Sequence, residues 1–192
     1  MNTTIELNNE SPVISEIPVD LIITKKCLNG NKHRDLTFSD ASDNLIFRVD
    51  GQSLKSIASR NNSGIVLLDA GDHPLITICS NNYGGWQGFK GDSAKEEENI
   101  IFRVEKTIES TWKRELEVNM GESKSCLKIR GSPFQRNCTV YENNSIVAQT
   151  SKLYKLGKII VGRRKFRLTI FPGRIEHLLI IALNVIFFYG YN

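Results

Sequence analysis

The feature of the sequence that most constrains its fold is a long apolar run near the C-terminus, residues 178–189, which only Asn184 interrupts. A helix built from such a run has no polar face, so it must be buried on all sides or lie in lipid. A helix of this length extends roughly 18 Å, whereas the hydrocarbon core of a bilayer is roughly 30 Å thick. A strand is the alternative, but the length of the run favours a helix. We therefore predict a core helix over about residues 174–189 and no transmembrane span.

The chain before this helix is predicted to be mainly β. Short apolar runs flank clusters of Asp, Asn, Ser and Gly, a pattern typical of β-hairpins. The predicted hairpin turns are residues 40–44, 69–74 and 142–145. In residues 127–130, apolar Leu and Ile alternate with Lys and Arg, which indicates one buried and one solvated face.

A large antiparallel sheet needs an apolar partner, and closing it into a barrel removes its exposed edges. The final helix is the one element that is apolar on every side. The sequence therefore predicts a closed antiparallel barrel of about twelve strands that encloses the C-terminal helix.

A length of 192 residues fits a single domain. The first sixteen residues are polar and rich in Asn, so we predict a flexible leader over residues 1–16 and one barrel domain over residues 17–192. The leader lacks the basic-then-apolar pattern of a secretory signal. We expect a protein that is not secreted and is cytoplasmic, with a peripheral plasma-membrane or nuclear location left open.

The four cysteines, Cys27, Cys79, Cys126 and Cys138, show no Cys-x-x-Cys spacing. This speaks against a zinc site and suits reduced thiols. A tight turn predicted at residues 131–133 would place Cys126 roughly opposite Cys138 on adjacent strands. We nevertheless expect no disulfide, because cross-strand geometry is often poor and the compartment is reducing.

The sequence carries no signature of an enzyme. It lacks a Gly-x-Ser-x-Gly elbow, a phosphate-binding glycine loop and a His-Glu-x-x-His motif. Asp40, Asp43 and Asn44 are possible calcium ligands, but the twelve-residue loop with its terminal Glu is missing. Turn chemistry alone explains these side chains. We predict a non-enzymatic protein without catalytic residues, cofactor or metal.

The net charge is a modest +4, but the basic residues are unevenly distributed. Residues 151–175 contain no acidic residue. They form a basic strip of Lys152, Lys155, Lys158, Arg163, Arg164, Lys165, Arg167 and Arg174. Such a strip can be a solvated face only, or it can mark an anionic partner such as a membrane surface or nucleic acid.

Several stretches together resemble the plant LURP-one-related family, among them Leu-Lys-Ile-Arg-Gly-Ser-Pro-Phe at residues 127–134. The others are residues 47–51, 67–70, 74–78, 136–141, 166–168 and 172–173. The resemblance extends from about Ile17 to Phe188. It implies a tubby C-terminal-like fold, in which a twelve-stranded antiparallel barrel is threaded by a hydrophobic C-terminal helix.

The resemblance implies less about function. Some members of the family are linked to basal defence against pathogens. The fold is shared with phospholipid scramblases and with tubby-like proteins, which bind membrane phosphoinositides and have been proposed as membrane-tethered transcription regulators. This expectation rests on fold, and fold alone does not assign function.

Two functional hypotheses remain for the basic strip. In the first, Arg163, Arg164, Lys165 and Arg167 contact phosphoinositide headgroups on an anionic membrane, where each basic side chain contributes about 1 kcal/mol. In the second, the protein is an interaction module with an unknown partner in defence signalling, and the charge serves only solubility. Nucleic-acid binding ranks third, because Trp86 and Trp112 are not interleaved with the strip. We expect a monomer.

Overall fold

A computed structural model describes residues 17–27, 34–50, 64–81, 84–92, 99–110, 112–121, 126–132, 134–153 and 165–189. The predicted leader, residues 1–16, lies outside the described residues, so the division into leader and domain stays a prediction.

The described residues form twelve strands and one helix. The strands are β1 (Val19–Cys27), β2 (Arg34–Ser39), β3 (Leu45–Asp50), β4 (Gly64–Asp69), β5 (Pro74–Ser80), β6 (Trp86–Lys90), β7 (Ile100–Glu109), β8 (Arg114–Asn119), β9 (Leu127–Ser132), β10 (Asn137–Glu142), β11 (Ser145–Lys152) and β12 (Lys165–Ile170). The helix is α1 (His177–Tyr189).

Each strand pairs antiparallel with the next one in the chain, and β12 pairs with β1, so that the sheet is a closed barrel. Leu21 is opposite Leu168 at this closure, and both side chains point into the core. Strand β9 alternates as predicted, with Leu127 and Ile129 buried and Arg130 exposed. The predicted mainly-β barrel is confirmed, as are its three hairpins.

Helix α1 fills the barrel. Its residues 179–188 are all buried, and all of them except Asn184 belong to one hydrophobic cluster with the inward-facing side chains of the strands. The predicted core helix is therefore confirmed, although it begins at His177 rather than near Arg174. The chain first bends at residues 172–175, where Pro172 and Gly173 end strand pairing. Within the described ranges no helix combines the length and apolarity needed to cross a bilayer.

The direction of α1 distinguishes the two ends of the barrel. The helix begins at the end formed by the turns at residues 40–44, 70–73 and 143–144, which we name the N rim. It ends where Arg114, at the start of β8, binds the carbonyl of Phe187. This second end, the C rim, carries the connection between β7 and β8, the turn at residues 134–136 and the ends of β11 and β12 at Lys152 and Lys165.

The acidic turns on the N rim are explained by local hydrogen bonds. Asp40 Oδ1 accepts the backbone N–H groups of Ser42 and Asn44, and Asp69 Oδ1 accepts those of Gly71 and His73. Bonds from Asn44 lower the pKa of the Asp40 carboxyl, and bonds from His73 do the same for Asp69. No group of three or more His, Cys, Asp or Glu residues in the described part of the chain is arranged to hold a metal ion.

Asn184, the polar residue in α1, is fully buried. Its side-chain amide donates to the carbonyl of Ile180 at 2.8 Å and accepts from the Cys138 thiol at 3.3 Å. The helix itself and the β10 thiol therefore supply its partners. These bonds satisfy the buried amide without a ligand cavity.

The expected position of Cys126 opposite Cys138 is wrong. Gly131 lies opposite Cys138, while Cys126 precedes β9 and its carbonyl accepts from Asn143. The two cysteines are thus separated by roughly 16 Å along the strand direction. The reason is that Gly131 and Ser132 extend β9, so that the turn lies at residues 134–136. Both thiols are free.

Cys138 is predicted to be inert toward thiol reagents in the folded protein. Burial raises its pKa to about 12, so that almost no reactive thiolate forms at pH 8. A variant that keeps only Cys138, with serine at the other three cysteines, should react with Ellman's reagent at least ~100-fold more slowly than one that keeps only the exposed Cys126. Unfolding in urea should abolish the difference.

The burial of the Cys138 thiol also predicts how the free energy of unfolding depends on pH. The unfolded thiol loses its proton near pH 9, whereas the folded thiol keeps it until about pH 12. The contribution of Cys138 to the free energy of unfolding is therefore complete below pH 9 and decreases as the pH rises from 9 to 12. Cys138→Ala should show a shallower decrease over this window in urea titrations, and equal slopes would contradict the assignment.

Candidate functional site

The described residues of the basic strip do not converge on one face. Lys152 and Lys165 lie at the C rim, Arg167 lies on the outer wall of β12, and Arg174 lies at the N rim. The remaining strip residues, Lys155, Lys158, Arg163 and Arg164, lie outside the described residues. The described part of the strip is therefore divided between opposite ends of the barrel, although its residues are close together in the sequence.

Lys165 and Arg167 occupy successive outward positions on β12, about 7 Å apart along the strand. The side chain of Lys165 is exposed, and it has no ion-pair partner in the part of the chain that the structure describes. Arg167 lies 3.6 Å from the carboxylate of Asp20, which also accepts a hydrogen bond from Thr169. Lys165 is thus the more available cation of the two.

The C rim carries further cations that the sequence did not group with the strip. Lys113 lies in the turn between β7 and β8, and Arg136 lies in the connection between β9 and β10. Together with Lys152 and Lys165 they form a set that we name the C-rim cations. Within the described ranges, none of the four has an ion-pair partner.

The N rim has the opposite charge. Its described residues include a group of acidic side chains: Asp40, Asp43, Asp69, Asp72, Glu142 and Glu176. The described cations near this rim include Arg48, which is paired with Asp72, and the exposed Lys90 and Arg174, so the carboxylates outnumber them. The barrel is therefore electrically asymmetric, with a basic C rim and an acidic N rim, and such an asymmetry orients a protein in the field of a charged surface.

Arg114 is a cation that the sequence analysis did not single out. Its side chain is only 1% exposed, because it continues the inward-facing series of Leu116 and Val118 on β8. Nη1 donates to the carbonyl of Phe187 at 3.0 Å, and Nη2 donates to Glu109 Oε1 at 2.6 Å. A hydrogen bond from Lys106 and then one from Arg114 lower the pKa of the Glu109 carboxyl.

This arrangement stabilises the end of the helix. The last carbonyls of a helix lack intrahelical partners and carry partial negative charge. The last turn of α1 contains no basic residue of its own, so the barrel wall supplies the cation. Arg114 is therefore a structural residue and is not available to an external ligand.

A surface groove of about 300 Å³ lies on the outer wall of β9 and β10. Its cations are already paired: Lys128 lies 2.8 Å from Glu117, and Arg130 Nε lies 3.1 Å from Glu115. The guanidinium of Arg130 also lies 5.8 Å from the ring centroid of Tyr141. Because these charges are neutralised, the groove is less suited to an anion than the C rim. Its remaining lining residues are Asn143 and Asn144.

Comparison with known proteins gives a consistent result. A family model described as LURP-one-related matches residues 19–188. Protein LURP-one-related 7 of Arabidopsis thaliana is 45% identical over 180 residues, which are 92% of each chain. Protein LURP-one-related 15 of the same plant is 27% identical over 181 residues, covering 88% of this chain and 78% of the relative. The crystal structure of an Arabidopsis thaliana protein aligns with a TM-score of 0.64 and 25% identity over 91% of each chain.

Proposed function

The chain belongs to the LURP-one-related family, and from that premise we propose that it is a non-enzymatic protein that docks on anionic phospholipid surfaces, with phosphoinositide headgroups as the preferred contact. The observation that carries the proposal is the electrical asymmetry of the barrel. The C-rim cations lack ion-pair partners within the described residues, whereas acidic side chains cluster on the N rim. An anionic surface attracts the first rim and repels the second.

In this proposal Arg163, Arg164 and Lys165 contact the headgroups. Lys165 supports this proposal, because its side chain is exposed on β12. It also forms no ion pair with any carboxylate of the described residues. Arg167 is an auxiliary contact, because Asp20 shares its charge. Each basic side chain near an anionic leaflet contributes about 1 kcal/mol.

The proposal extends to the cellular role. The protein would be a peripheral protein of the plasma membrane that acts in plant defence, related through its fold to tubby-like regulators and phospholipid scramblases. The closed twelve-stranded barrel with its core helix is the architecture that the family resemblance implied, and it supports this role by analogy alone.

Charge reversal of Arg163, Arg164 and Lys165 to Glu is expected to lower binding to phosphoinositide-containing vesicles by at least about tenfold, because three attractive charges become repulsive. Co-sedimentation with vesicles of phosphatidylcholine containing a phosphoinositide measures the bound fraction. Binding of the wild-type protein should also weaken as salt is raised, since screening shortens the range of exposed charges.

The matched control reverses the same number of charges elsewhere. Lys90, Arg103 and Arg174 are exposed cations away from the C rim, and their replacement by Glu should reduce binding less than the first variant does. Equal binding of the wild type and the Arg163/Arg164/Lys165 variant would end the proposal. Salt-insensitive capture of a protein partner without vesicle binding would instead support the alternative, an interaction module in defence signalling.

A further inference from the structure

Two large aromatic side chains are exposed on the C rim. Trp112 and Phe134 are each 63% exposed, although most large apolar residues of the described chain are buried in the core. Their ring centroids are 4.9 Å apart with an interplanar angle of 67°, an edge-to-face geometry. The two rings therefore form one apolar projection rather than two isolated exposures.

The backbone holds this pair in place. Trp112 lies in the turn between β7 and β8, which is closed by a hydrogen bond from Ser110 N to Lys113 O at 2.8 Å. Phe134 lies in the connection between β9 and β10, where Gln135 N donates to Ser132 Oγ at 3.2 Å. Because β8 and β9 are paired neighbours, the two connections lie side by side on the rim.

The surroundings of the pair indicate what covers it. Lys113 adjoins Trp112 in sequence and Arg136 follows Phe134 by two positions, and Lys152 and Lys165 lie on the same rim. An apolar projection on a rim that also carries exposed cations matches the boundary of an anionic bilayer, where headgroup phosphates lie next to acyl chains. Trp suits this boundary because its ring is apolar while its N–H group prefers a polar environment.

We propose that Trp112 and Phe134 form an interfacial anchor that inserts into the headgroup–acyl boundary of an anionic bilayer and orients the barrel with its C rim toward the membrane. This inference rests on the proposed function and deepens it, because it assigns a depth and an orientation to docking. The C-rim cations supply long-range attraction, and the aromatic pair supplies a contact that salt does not screen.

The intrinsic tryptophan fluorescence of the protein can test whether this anchor inserts. It has two tryptophans, of which Trp86 is 9% exposed and Trp112 is 63% exposed. Vesicles of phosphatidylcholine containing phosphatidylserine and a phosphoinositide should shift the emission of the wild-type protein to shorter wavelength. Vesicles with brominated acyl chains should quench it. The Trp112→Phe variant keeps an aromatic ring and should bind, but its remaining emission should be neither shifted nor quenched.

A pair of variants separates insertion from electrostatic attraction. Trp112→Ser/Phe134→Ser should bind the same vesicles about tenfold more weakly at high salt, where the charges are screened. Ile146→Ser removes an exposed apolar side chain near the N rim and should bind as the wild type does. Both variants change exposed positions only, so that loss of folding does not confuse the comparison.

The outcomes are distinguishable. If the wild-type protein sediments with anionic vesicles but Trp112 is neither shifted nor quenched, the anchor is overturned while the proposed function stands. Unchanged binding of the Trp112→Ser/Phe134→Ser variant at high salt would likewise overturn the anchor and leave the proposed function standing. If the wild-type protein binds no anionic vesicle, the proposed function and the anchor both fail.

Discussion

Replacement of Arg114 by alanine is expected to lower the free energy of unfolding by about 3 kcal/mol. The substitution leaves the buried carbonyl of Phe187 without its donor and removes the cation at the C-terminus of α1. It also leaves a cavity, because the Arg114 side chain that is removed is almost fully buried. Glu109 is partly exposed, so water can solvate its freed carboxylate, which keeps the loss below that of a fully buried pair. Urea denaturation followed by circular dichroism measures the change.

The matched control for this prediction is Arg103→Ala. Arg103 is exposed on the outer wall of β7, and its truncation should change the free energy of unfolding by no more than about 0.5 kcal/mol. Arg114→Lys should lie between the two, because an ammonium keeps the charge but lacks the planar fork that reaches both Phe187 and Glu109. Similar denaturation midpoints for Arg114→Ala and Arg103→Ala would show that the barrel does not depend on this contact.

Truncation of Phe187 to alanine is expected to lower the free energy of unfolding by about 4 kcal/mol. The Phe187 ring is completely buried inside the barrel. It packs edge-to-face against Phe188 at 5.6 Å between centroids, and the Arg114 guanidinium lies 5.9 Å from its centroid. The closed sheet around α1 restricts collapse into the space left behind, so that most of the cavity should persist. Thermal and urea unfolding of the purified variant measure the loss.

Phe134→Ala is the control for this truncation, because it removes the same atoms from an exposed position on the C rim. It should cost less than about 1 kcal/mol, since only the edge contact with Trp112 is lost. If Phe187→Ala were as stable as Phe134→Ala, α1 could not be the element that fills the barrel. That result would contradict the central feature of the fold.

The fold could be predicted from the sequence because its main signals are local. The run at residues 178–189 has no polar face and is too short to span a bilayer, so burial inside a sheet was the consistent solution. Period-two alternation and turn residues located the strands, and Asp40 and Asp69 occupy the turn positions where their side chains bind backbone N–H groups.

The prediction that Cys126 lies opposite Cys138 was wrong because it depends on the register between two strands. The position of Cys126 relative to Cys138 required the exact length of β9, and two additional paired residues, Gly131 and Ser132, moved the turn. Gly131 opens a Gly-Ser-Pro triplet that is typical of a turn. In the structure, this glycine instead lies within β9 and allows the backbone of β10 to approach closely. A Cβ at Gly131 would lie 2.6 Å from the Cα of Cys138.

The residues of the candidate site could be brought together only by the tertiary structure, because they are distant in the sequence. The basic strip is continuous in sequence, yet a strand carries successive residues from one rim to the other, so that Arg174 and Lys165 lie at opposite ends of the barrel. The same geometry brings Lys113 and Arg136, distant in sequence from the strip, to the C rim. It also places Trp112 beside Phe134 across neighbouring connections.

The sequence by itself determined that the strands alternate, where most of them turn, and that the apolar C-terminal run must be enclosed, because these properties follow from the side chains of neighbouring residues. The pairing of the strands decided which charges share a rim, which aromatic rings meet, and which arginine stabilises the end of the helix. The physical reason is that a closed barrel fixes distances between residues far apart in the chain, and those distances depend on the register of every strand pair at once.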